Sequence, residues 1–221
     1  MENLLLKYQH PNIIDIKLGT QLHDGNVDEF KKYKMEVMSR ISTSEQYGLL
    51  ISAVQVYDRQ KQITHKINKN YGMFMLGEYF PKALISFFYN IVEPLYNDSE
   101  CPKEDELDSS FYESEPSDYV AGFLKAILIQ VKELQEAVSQ SHVAIYGSSL
   151  CIIYETINIA KEVEKRCKNP DTYEYPFSLH YIDFAHAYLV DQGVDDDKSL
   201  MTGFNTFISI IEKYLNSYNK I

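Results

Sequence analysis

The chain has 221 residues, 45% of them of hydrophobic types, which is the size of one globular domain with a substantial core. Its 32 acidic residues outnumber its 21 basic residues and give a net charge of −11, which argues against an extended nucleic-acid surface. The sequence has no apolar run long enough for a membrane span, and residues 1–22 lack the order of a secretory signal. We therefore expect a soluble protein of the cytoplasm or nucleus. We also expect it to be a monomer.

The N-terminal half of the sequence predicts strands and helices in alternation. Residues 12–17 predict a strand that carries Asp15 and Lys17 on one face, because side chains alternate along a strand. Residues 26–40 favour a helix with four basic residues in an otherwise acidic chain, and residues 48–57 predict a second strand of the same sheet. The basic helix beside the first strand predicts a local pocket for an anion.

The remaining elements also follow from apolar spacing. Residues 78–96 predict a helix that begins near Pro81, and residues 120–138 predict another with Asp118 as its cap. Residues 149–154 and 179–184 predict strands separated by a Pro- and Asn-rich connection at 169–176, and residues 204–215 predict a terminal helix. An acidic loop or insert occupies about residues 98–118. The predicted fold class is α+β.

The three cysteines of the sequence are widely separated and have no Cys or His partner at metal-ligand spacing. They are Cys101, Cys151 and Cys167. An odd number at such spacing favours reduced thiols over a disulfide framework. Cys151 lies within an apolar run, where a thiol packs as a small hydrophobic group, and no function is assigned to any of the three.

Three segments in order resemble those of the inositol polyphosphate kinases. The first is Pro11-Asn-Ile-Ile-Asp15-Ile-Lys17-Leu-Gly19, which matches Pro-x-x-x-Asp-x-Lys-x-Gly. The others are Ser148-Ser149-Leu150, with the apolar run that follows it, and Ile182-Asp183-Phe184-Ala185-His186. Within the family the chain is most similar to the inositol hexakisphosphate kinases, and the inositol polyphosphate multikinases are the nearest rival.

This resemblance implies a fold, a reaction and cofactors. The expected fold is that of the kinase-like inositol phosphate kinases, an antiparallel sheet backed by helices, with residues 1–221 forming one domain. That domain corresponds mainly to the C-terminal lobe, and the family's N-terminal lobe is expected to be missing from the sequence. The implied reaction is ATP- and Mg²⁺-dependent phosphorylation of an inositol polyphosphate, with hexakisphosphate preferred over lower inositol phosphates.

Phosphoryl transfer also indicates which residues could act. It depends on positioning and charge neutralisation, so a site needs metal ligands, a cation near the transferred group and a basic acceptor pocket. Asp183 suits the metal because Mg²⁺ prefers oxygen ligands, and Lys17 would stabilise charge on the acceptor or transferred phosphate. Without the motifs, Asp183 would be interpreted as a turn residue at a strand end and Lys17 as a solvent-facing lysine.

The resemblance also assigns residues to the nucleotide. Asp15 would accept hydrogen bonds from the ribose hydroxyls of ATP, with a role as general base as the alternative. Glu2 and Leu4 correspond to the hinge, where backbone groups bind adenine. Ser149 would bind a phosphate or satisfy the end of its strand.

The acceptor site is expected to combine the basic helix with the third motif. Lys31 and Lys34 lie one turn apart and could point at one polyphosphate, or simply form a solvated helix face. His186 would contact a substrate phosphate, with a partly buried structural histidine as the alternative.

Two other functions stay open at this stage. One is a truncated, non-catalytic relative that binds inositol phosphate, because the upstream lobe with its phosphate-binding lysine is expected to be missing. In addition, five positions that are usually basic in hexakisphosphate kinases carry uncharged residues, namely Gln21, Val37, Met38, Leu50 and Met73. A structural domain without a ligand is the other. The sequence contains no glycine-rich dinucleotide or P-loop motif, no nucleophile elbow and no zinc signature.

Overall fold

The computed structural model describes residues 3–24, 26–59, 61–67, 69–89, 118–156, 159–169, 172–189 and 198–218. Its strands are β1 (Pro11–Leu18), β2 (Leu49–Asp58), β3 (Ile63–Ile67), β4 (Val143–Ile145), β5 (Ser149–Glu155), β6 (Phe177–Ile182) and β7 (Ala187–Leu189). Its helices are α1 (Glu29–Ile41), α2 (Ser44–Tyr47), α3 (Lys69–Phe74), α4 (Phe80–Phe88), α5 (Asp118–Gln140), α6 (Ile159–Lys168) and α7 (Lys198–Tyr218).

The central sheet has five antiparallel strands in the order β3-β2-β1-β5-β6. The motif strand β1 is its middle strand, paired with β2 on one side and β5 on the other. The short strands β4 and β7 form a separate antiparallel pair. Because β5 lies between β1 and β6, the second and third motifs are brought to the same side of the first.

Alternation along β1 separates the core from the opposite face of the sheet. Ile14, Ile16 and Leu18 are buried against the helices, whereas the side chains between them are only half-buried. The hydrophobic core joins these strand residues to apolar faces of α4, α5 and α7. The helices therefore cover one face of the sheet and leave Asp15 and Lys17 on the other.

Local signals explain where several helices begin. The Asp28 side chain accepts hydrogen bonds from the backbone N–H groups of Phe30 and Lys31, at 3.1 and 3.0 Å, and caps α1. Pro81 lies in the first turn of α4, where its missing N–H is no loss. The apolar spacing in α5 and α7 buries one face of each helix against the other and against the sheet.

The predicted α+β fold with an antiparallel sheet backed by helices is confirmed. The predicted strands correspond to β1, β2, β5 and β6, and the predicted helices correspond to α1, α4, α5 and α7. The strand predicted at 179–184 ends at Ile182, so Asp183 and Phe184 follow it. Asp118 is the first residue of α5. The rest of the acidic segment at 98–118, and the helix predicted beyond Tyr89, fall outside the described residues.

The sequence analysis did not predict α2, α3, α6, β3, β4 or β7. Helix α6 carries charged residues on most of its surface and is largely exposed, and its few apolar residues, such as the exposed Val163, do not form the long apolar stripe of the recognised helices. The strands β4 and β7 have three residues each, which is too short for a pattern. Among the described helices, none has the length and apolar character to cross a membrane.

Candidate functional site

Asp15 and Lys17 face away from the helices because they occupy the alternate positions of β1. In the pairing with β5, Asp15 lies opposite Cys151 and Lys17 lies opposite Ser149. On the other side the register with β2 shifts between Asp15 and Ile16, where Ser52 Oγ donates to the Asp15 carbonyl at 3.1 Å. Such an irregularity re-aims side chains, and here it lies within the first motif.

Lys17 and Asp183 meet at one end of the sheet. Ser149 pairs with Lys17 on β1 and with Ile182 on β6, so the residue that follows β6 is carried next to Lys17. The Lys17 Nζ atom lies 3.8 Å from Asp183 Oδ2 and donates to the Gly147 carbonyl at 3.1 Å. The Asp183 side chain is 65% exposed, which leaves its carboxylate accessible to a ligand.

The Asp183 backbone has a conformation that non-glycine residues seldom adopt. Its φ angle is +70°, in the left-handed region. Aspartate is among the residue types that tolerate this region best, because its short polar side chain can bond locally. The turn therefore directs the Asp183 carboxylate out of the strand and toward Lys17.

Two buried polar atoms at this site have no hydrogen-bond partner within the part of the chain that the structure describes. They are Asp15 Oδ1 and Ser149 Oγ. A buried polar atom without a partner costs free energy, so such atoms call for a specific explanation. Both atoms belong to residues on the Lys17 face of the sheet.

Cys151 lies between β1 and β6 on the same face of the sheet. Burial is the main reason that its pKa is raised to about 11, and the nearby Asp15 carboxylate contributes in the same direction. The thiol is therefore protonated at neutral pH. Cys167 is exposed, as expected for a surface position on α6.

His186 is held by Asp24, a buried carboxylate that the motifs did not indicate. His186 Nδ1 lies 3.1 Å from Asp24 Oδ2, and the Tyr188 hydroxyl donates to the same oxygen. The Asn26 backbone N–H donates to Oδ1 at 3.1 Å. The hydrogen bond from Tyr188 is the largest cause that lowers the pKa of Asp24, and those from Asn26 and His186 act in the same direction.

A cleft of about 460 Å³ lies beside α1 and contains two basic side chains, Lys32 and Arg40, and two acidic ones, Glu36 and Glu45. Glu36 Oε2 lies 4.0 Å from an Arg40 nitrogen. His23, which is buried, lies 3.7 Å from Glu36 Oε1 through its Nε2 atom. The cleft is therefore close to neutral overall.

Lys31 and Lys34 are exposed on α1 and are not among the residues that line this cleft. The Lys34 ammonium lies 4.2 Å from the centre of the Phe30 ring, an exposed cation–π contact. Lys32, one residue away, is the helix lysine that does line the cleft. The acceptor role of Lys31 and Lys34 stays a prediction.

Comparison with known proteins identifies the family. The family model of the inositol polyphosphate kinases matches residues 1–212. The chain belongs to the inositol polyphosphate kinase family. It is 29% identical to human inositol hexakisphosphate kinase 3 over 201 aligned positions, covering 85% of this chain and 42% of that protein. It is 25% identical over 252 aligned positions to the inositol polyphosphate multikinase of Saccharomyces cerevisiae, covering 97% of this chain and 67% of that protein.

Solved structures of the family have the same fold. The inositol phosphate multikinase Ipk2 of S. cerevisiae, in complex with ADP and Mn²⁺, has a TM-score of 0.71 and 24% identity over 97% of this chain and 82% of that one. A second inositol phosphate multikinase structure has a TM-score of 0.66 and 21% identity over 96% of this chain and 84% of that one. The kinase-like fold expected from the motifs is thereby confirmed.

The hinge predicted from the family lies at the N-terminal end of the sequence. Leu4 is half-buried in the turn that precedes β1, whereas Glu2 lies outside the described residues. A second cleft, of about 680 Å³, lies near this segment, away from Lys17 and Asp183, and includes Glu155 and Glu162. Those carboxylates are already bonded, Glu155 to two backbone N–H groups and Glu162 to Lys165 and Tyr173.

The family motifs indicated Lys17, Asp183 and Ser149, which the structure brings together, but not the residues that support them. Gly147 precedes the second motif and holds Lys17 through its carbonyl. Asp24 and Tyr188 are 164 positions apart and meet only in the fold. The one signal for Asp24 in the sequence was a His-Asp pair, His23-Asp24, shortly after the first motif.

Proposed function

We propose that this chain is an ATP-dependent inositol polyphosphate kinase. The observation that carries the proposal is the meeting of Lys17 with the exposed carboxylate of Asp183, each supplied by a different family motif. Membership of the family supports the reaction class. Since the chain spans 42% of the human hexakisphosphate kinase 3 that it matches, activity and substrate are inferences about this chain.

The residues at the sheet end fit the binding of a metal–nucleotide complex. The described part of the chain has no group of three His, Cys, Asp or Glu side chains that could hold a metal ion by itself. Mg²⁺ commonly uses one or two carboxylates and completes its ligands with substrate phosphates and water, so the single carboxylate of Asp183 is compatible with it. The ion would neutralise phosphate charge during transfer.

Each remaining residue has a role that its position supports. Lys17 would place its ammonium group against the transferred or acceptor phosphate and stabilise negative charge there. Asp15 would accept a hydrogen bond from the ribose, which satisfies its orphaned Oδ1 atom, and Ser149 would donate its hydroxyl to a phosphate. By the family resemblance alone, Leu4 and Glu2 would bind adenine through their backbone groups.

Inositol hexakisphosphate is the first candidate for the acceptor, because human inositol hexakisphosphate kinase 3 is among the similar proteins. A lower inositol phosphate is the second candidate, and the cleft beside α1 favours it. That cleft pairs its two basic side chains with two acidic ones, and Gln21 lies there where the hexakisphosphate kinases are usually basic. A less charged acceptor needs fewer cations.

The decisive experiment replaces the carboxylate that is assigned to the metal. Asp183→Asn keeps the side-chain size and removes the charge, so we expect Mg²⁺-dependent binding of ADP to fall at least tenfold, about 1.4 kcal/mol, and phosphate transfer to be lost. Titration calorimetry with and without Mg²⁺ measures the first effect, and transfer from radiolabelled ATP measures the second. Glu164→Gln, an exposed carboxylate change on α6, is the matched control.

Unchanged Mg²⁺-dependent affinity in Asp183→Asn would reject the metal assignment. If the unaltered chain binds an inositol phosphate and transfers no phosphate to it, the non-catalytic alternative replaces the kinase. The acceptor is decided by comparing hexakisphosphate with a trisphosphate and a tetrakisphosphate in the same transfer assay.

A further inference from the structure

The Asp24 carboxylate is the most heavily bonded acidic group near the proposed acceptor site. It is 3% exposed and accepts hydrogen bonds at both oxygens, from the Asn26 backbone at Oδ1 and from Tyr188 and His186 at Oδ2. A buried carboxylate is costly unless donors surround it. Its pKa is lowered mainly by the Tyr188 hydrogen bond, which agrees with an ionised group.

An ionised carboxylate can only accept, so the bond between it and His186 has a defined direction. The proton must lie on His186 Nδ1, which donates to Asp24 Oδ2 at 3.1 Å. The Nε2 atom is then the nitrogen left for a ligand. The His186 side chain is 34% exposed, so a ligand can reach it.

The His186 backbone is tied to the same turn that holds Lys17. The Tyr146 N–H donates to the His186 carbonyl at 3.1 Å, and the next residue, Gly147, accepts from Lys17 Nζ. Backbone and ring of His186 are thus fixed by two independent contacts, one to the turn and one to Asp24. These contacts connect His186 and Lys17 to the same turn, at Tyr146 and Gly147.

We propose that Asp24 is a positioning residue that holds His186 for binding of the anionic acceptor. The inference rests on the proposed function, and it adds a residue outside the three motifs. With Nδ1 held by Asp24, the ring presents Nε2, and in the doubly protonated ring this atom donates to a phosphate oxygen. Asp24 acts through His186 and has no contact of its own with the acceptor.

The hydrogen bond between His186 and Asp24 is tested first, through the tautomer of the His186 ring. Long-range ¹H–¹⁵N spectra of the neutral ring in the unaltered full chain should report a proton on Nδ1. Asp24→Asn should shift the ring toward the Nε2-protonated tautomer, because an amide accepts at only one of its two ends while donors approach both ends. An Nε2-protonated ring in the unaltered chain would overturn the inference, whether or not the variant folds.

The role of Asp24 is tested by affinity for inositol hexakisphosphate. Asp24→Asn should weaken binding about tenfold in calorimetry and leave the affinity for Mg²⁺–ADP unchanged, because the uncharged amide no longer stabilises the doubly protonated ring that donates from Nε2 to the phosphate. His186→Gln should weaken binding by at least as much. Adding Asp24→Asn to His186→Gln should change the affinity by less than twofold, because Asp24 acts through the ring.

Glu164→Gln is the control, since it neutralises an exposed carboxylate on α6 that pairs with Lys168. We expect its affinity to stay within twofold of the unaltered chain. Unchanged binding in Asp24→Asn, or equal further loss when it is added to His186→Gln, would overturn the inference and leave the proposed kinase function standing. Failure of the unaltered chain to bind any inositol phosphate would contradict that function and, with it, the role of Asp24.

Discussion

Single positions of the first motif differ in what they do, although they are close in sequence. Asn12 is fully buried, and its Oδ1 atom accepts from the Tyr57 backbone at 2.8 Å and from the Thr156 hydroxyl at 3.0 Å. It therefore fixes the beginning of β1, whereas Asp15 and Lys17 face the site. The alternation of a strand predicted which face Asp15 and Lys17 share, but the partners of Asn12 come from distant segments and were not visible in the sequence.

In the candidate site, too, the motifs predicted some of the residues, whereas others were found only in the folded structure. Lys17, Ser149 and Asp183 were indicated by motif and are joined through the pairing of β1, β5 and β6. Asp24 was missed because its role depends on Tyr188 and His186, whose approach is set by tertiary structure. The role of a buried carboxylate becomes clear only when its hydrogen-bond donors are known. The sequence does not show which residues those are.

The raised pKa of Cys151 predicts slow alkylation. With a pKa of about 11, about one thiol in a thousand is ionised at pH 8, and the thiolate is the reactive form. We expect iodoacetamide to modify the exposed Cys167 at least tenfold faster than Cys151 at pH 8, as measured by peptide mass spectrometry over time. Equal rates for the two cysteines would show that Cys151 is neither buried nor protonated.

At the scale of elements, packing surfaces decided which helices could be predicted. Helices α4, α5 and α7 each bury a regular apolar stripe in the core, and their sequences show it. Helix α6 is mostly charged and mostly exposed, and its few apolar residues did not indicate a helix that packs on the core. Its place is set instead by contacts such as the hydrogen bond from Tyr173 to Glu162, at 2.8 Å.

A close backbone approach fixes α7 against the sheet. The Gly19 N–H donates to the Gly48 carbonyl at 2.8 Å, and Gly203 of α7 packs directly on this pair. A Cβ atom at Gly203 would overlap the Gly48 carbonyl oxygen and lie 3.1 Å from the Gly19 nitrogen. Backbone atoms cannot rotate away as a side chain can, so the helix itself would have to move.

We therefore expect Gly203→Ala to lower the free energy of unfolding by about 2 kcal/mol, because overpacking outweighs the gain in helix propensity. Urea denaturation followed by circular dichroism measures the change. Asn216→Ala, an exposed position on the same helix, is the control and should be neutral or slightly stabilising. A Gly203→Ala variant as stable as the unaltered chain would mean that α7 does not approach Gly48 this closely.

Helix α1 carries lysines on its exposed face and one lysine that lines the cleft, and the two positions lead to different predictions for acceptor binding. If Lys31 and Lys34 bind the acceptor, replacing both with alanine should weaken inositol phosphate binding at least tenfold and leave nucleotide binding unchanged. Lys32→Ala is the comparison, because Lys32 lines the cleft beside α1. Calorimetry that finds the larger loss in Lys32→Ala would move the acceptor from the exposed face of α1 to this cleft.

At the scale of the whole molecule, tyrosines join segments that are far apart in the sequence. The Tyr89 hydroxyl bonds to the Tyr214 hydroxyl and links α4 to α7. Tyr119 of α5 bonds to Tyr173 at 2.9 Å, and Tyr173 donates to Glu162 of α6. Burial is the main cause that raises the pKa of each of these tyrosines above the usual value near 10. The contacts between these helices therefore depend on tyrosine hydroxyl groups that stay protonated.

This arrangement predicts loss of stability in alkali. The folded chain holds the tyrosine protons more tightly than the unfolded chain, so their stabilising contribution is complete below pH 10 and declines as the pH rises toward the folded-state pKa values. Each buried tyrosine can add up to about 1.4 kcal/mol per pH unit to the decline in that range. With a net charge of −11 at neutral pH, further ionisation also increases self-repulsion.

Tyr119→Phe distinguishes ionisation of the buried tyrosines from self-repulsion of the chain as the cause of alkaline unfolding. Phenylalanine has no proton to lose, so the variant should be about 1 kcal/mol less stable at pH 7 through the missing hydrogen bond, yet lose less stability than the unaltered chain between pH 9 and pH 11. Urea unfolding at each pH measures both quantities. Tyr33→Phe, at a position that is 65% exposed, should leave the pH dependence unchanged. Parallel stability curves for Tyr119→Phe and the unaltered chain would mean that self-repulsion, and not the buried hydroxyl, governs the alkaline transition.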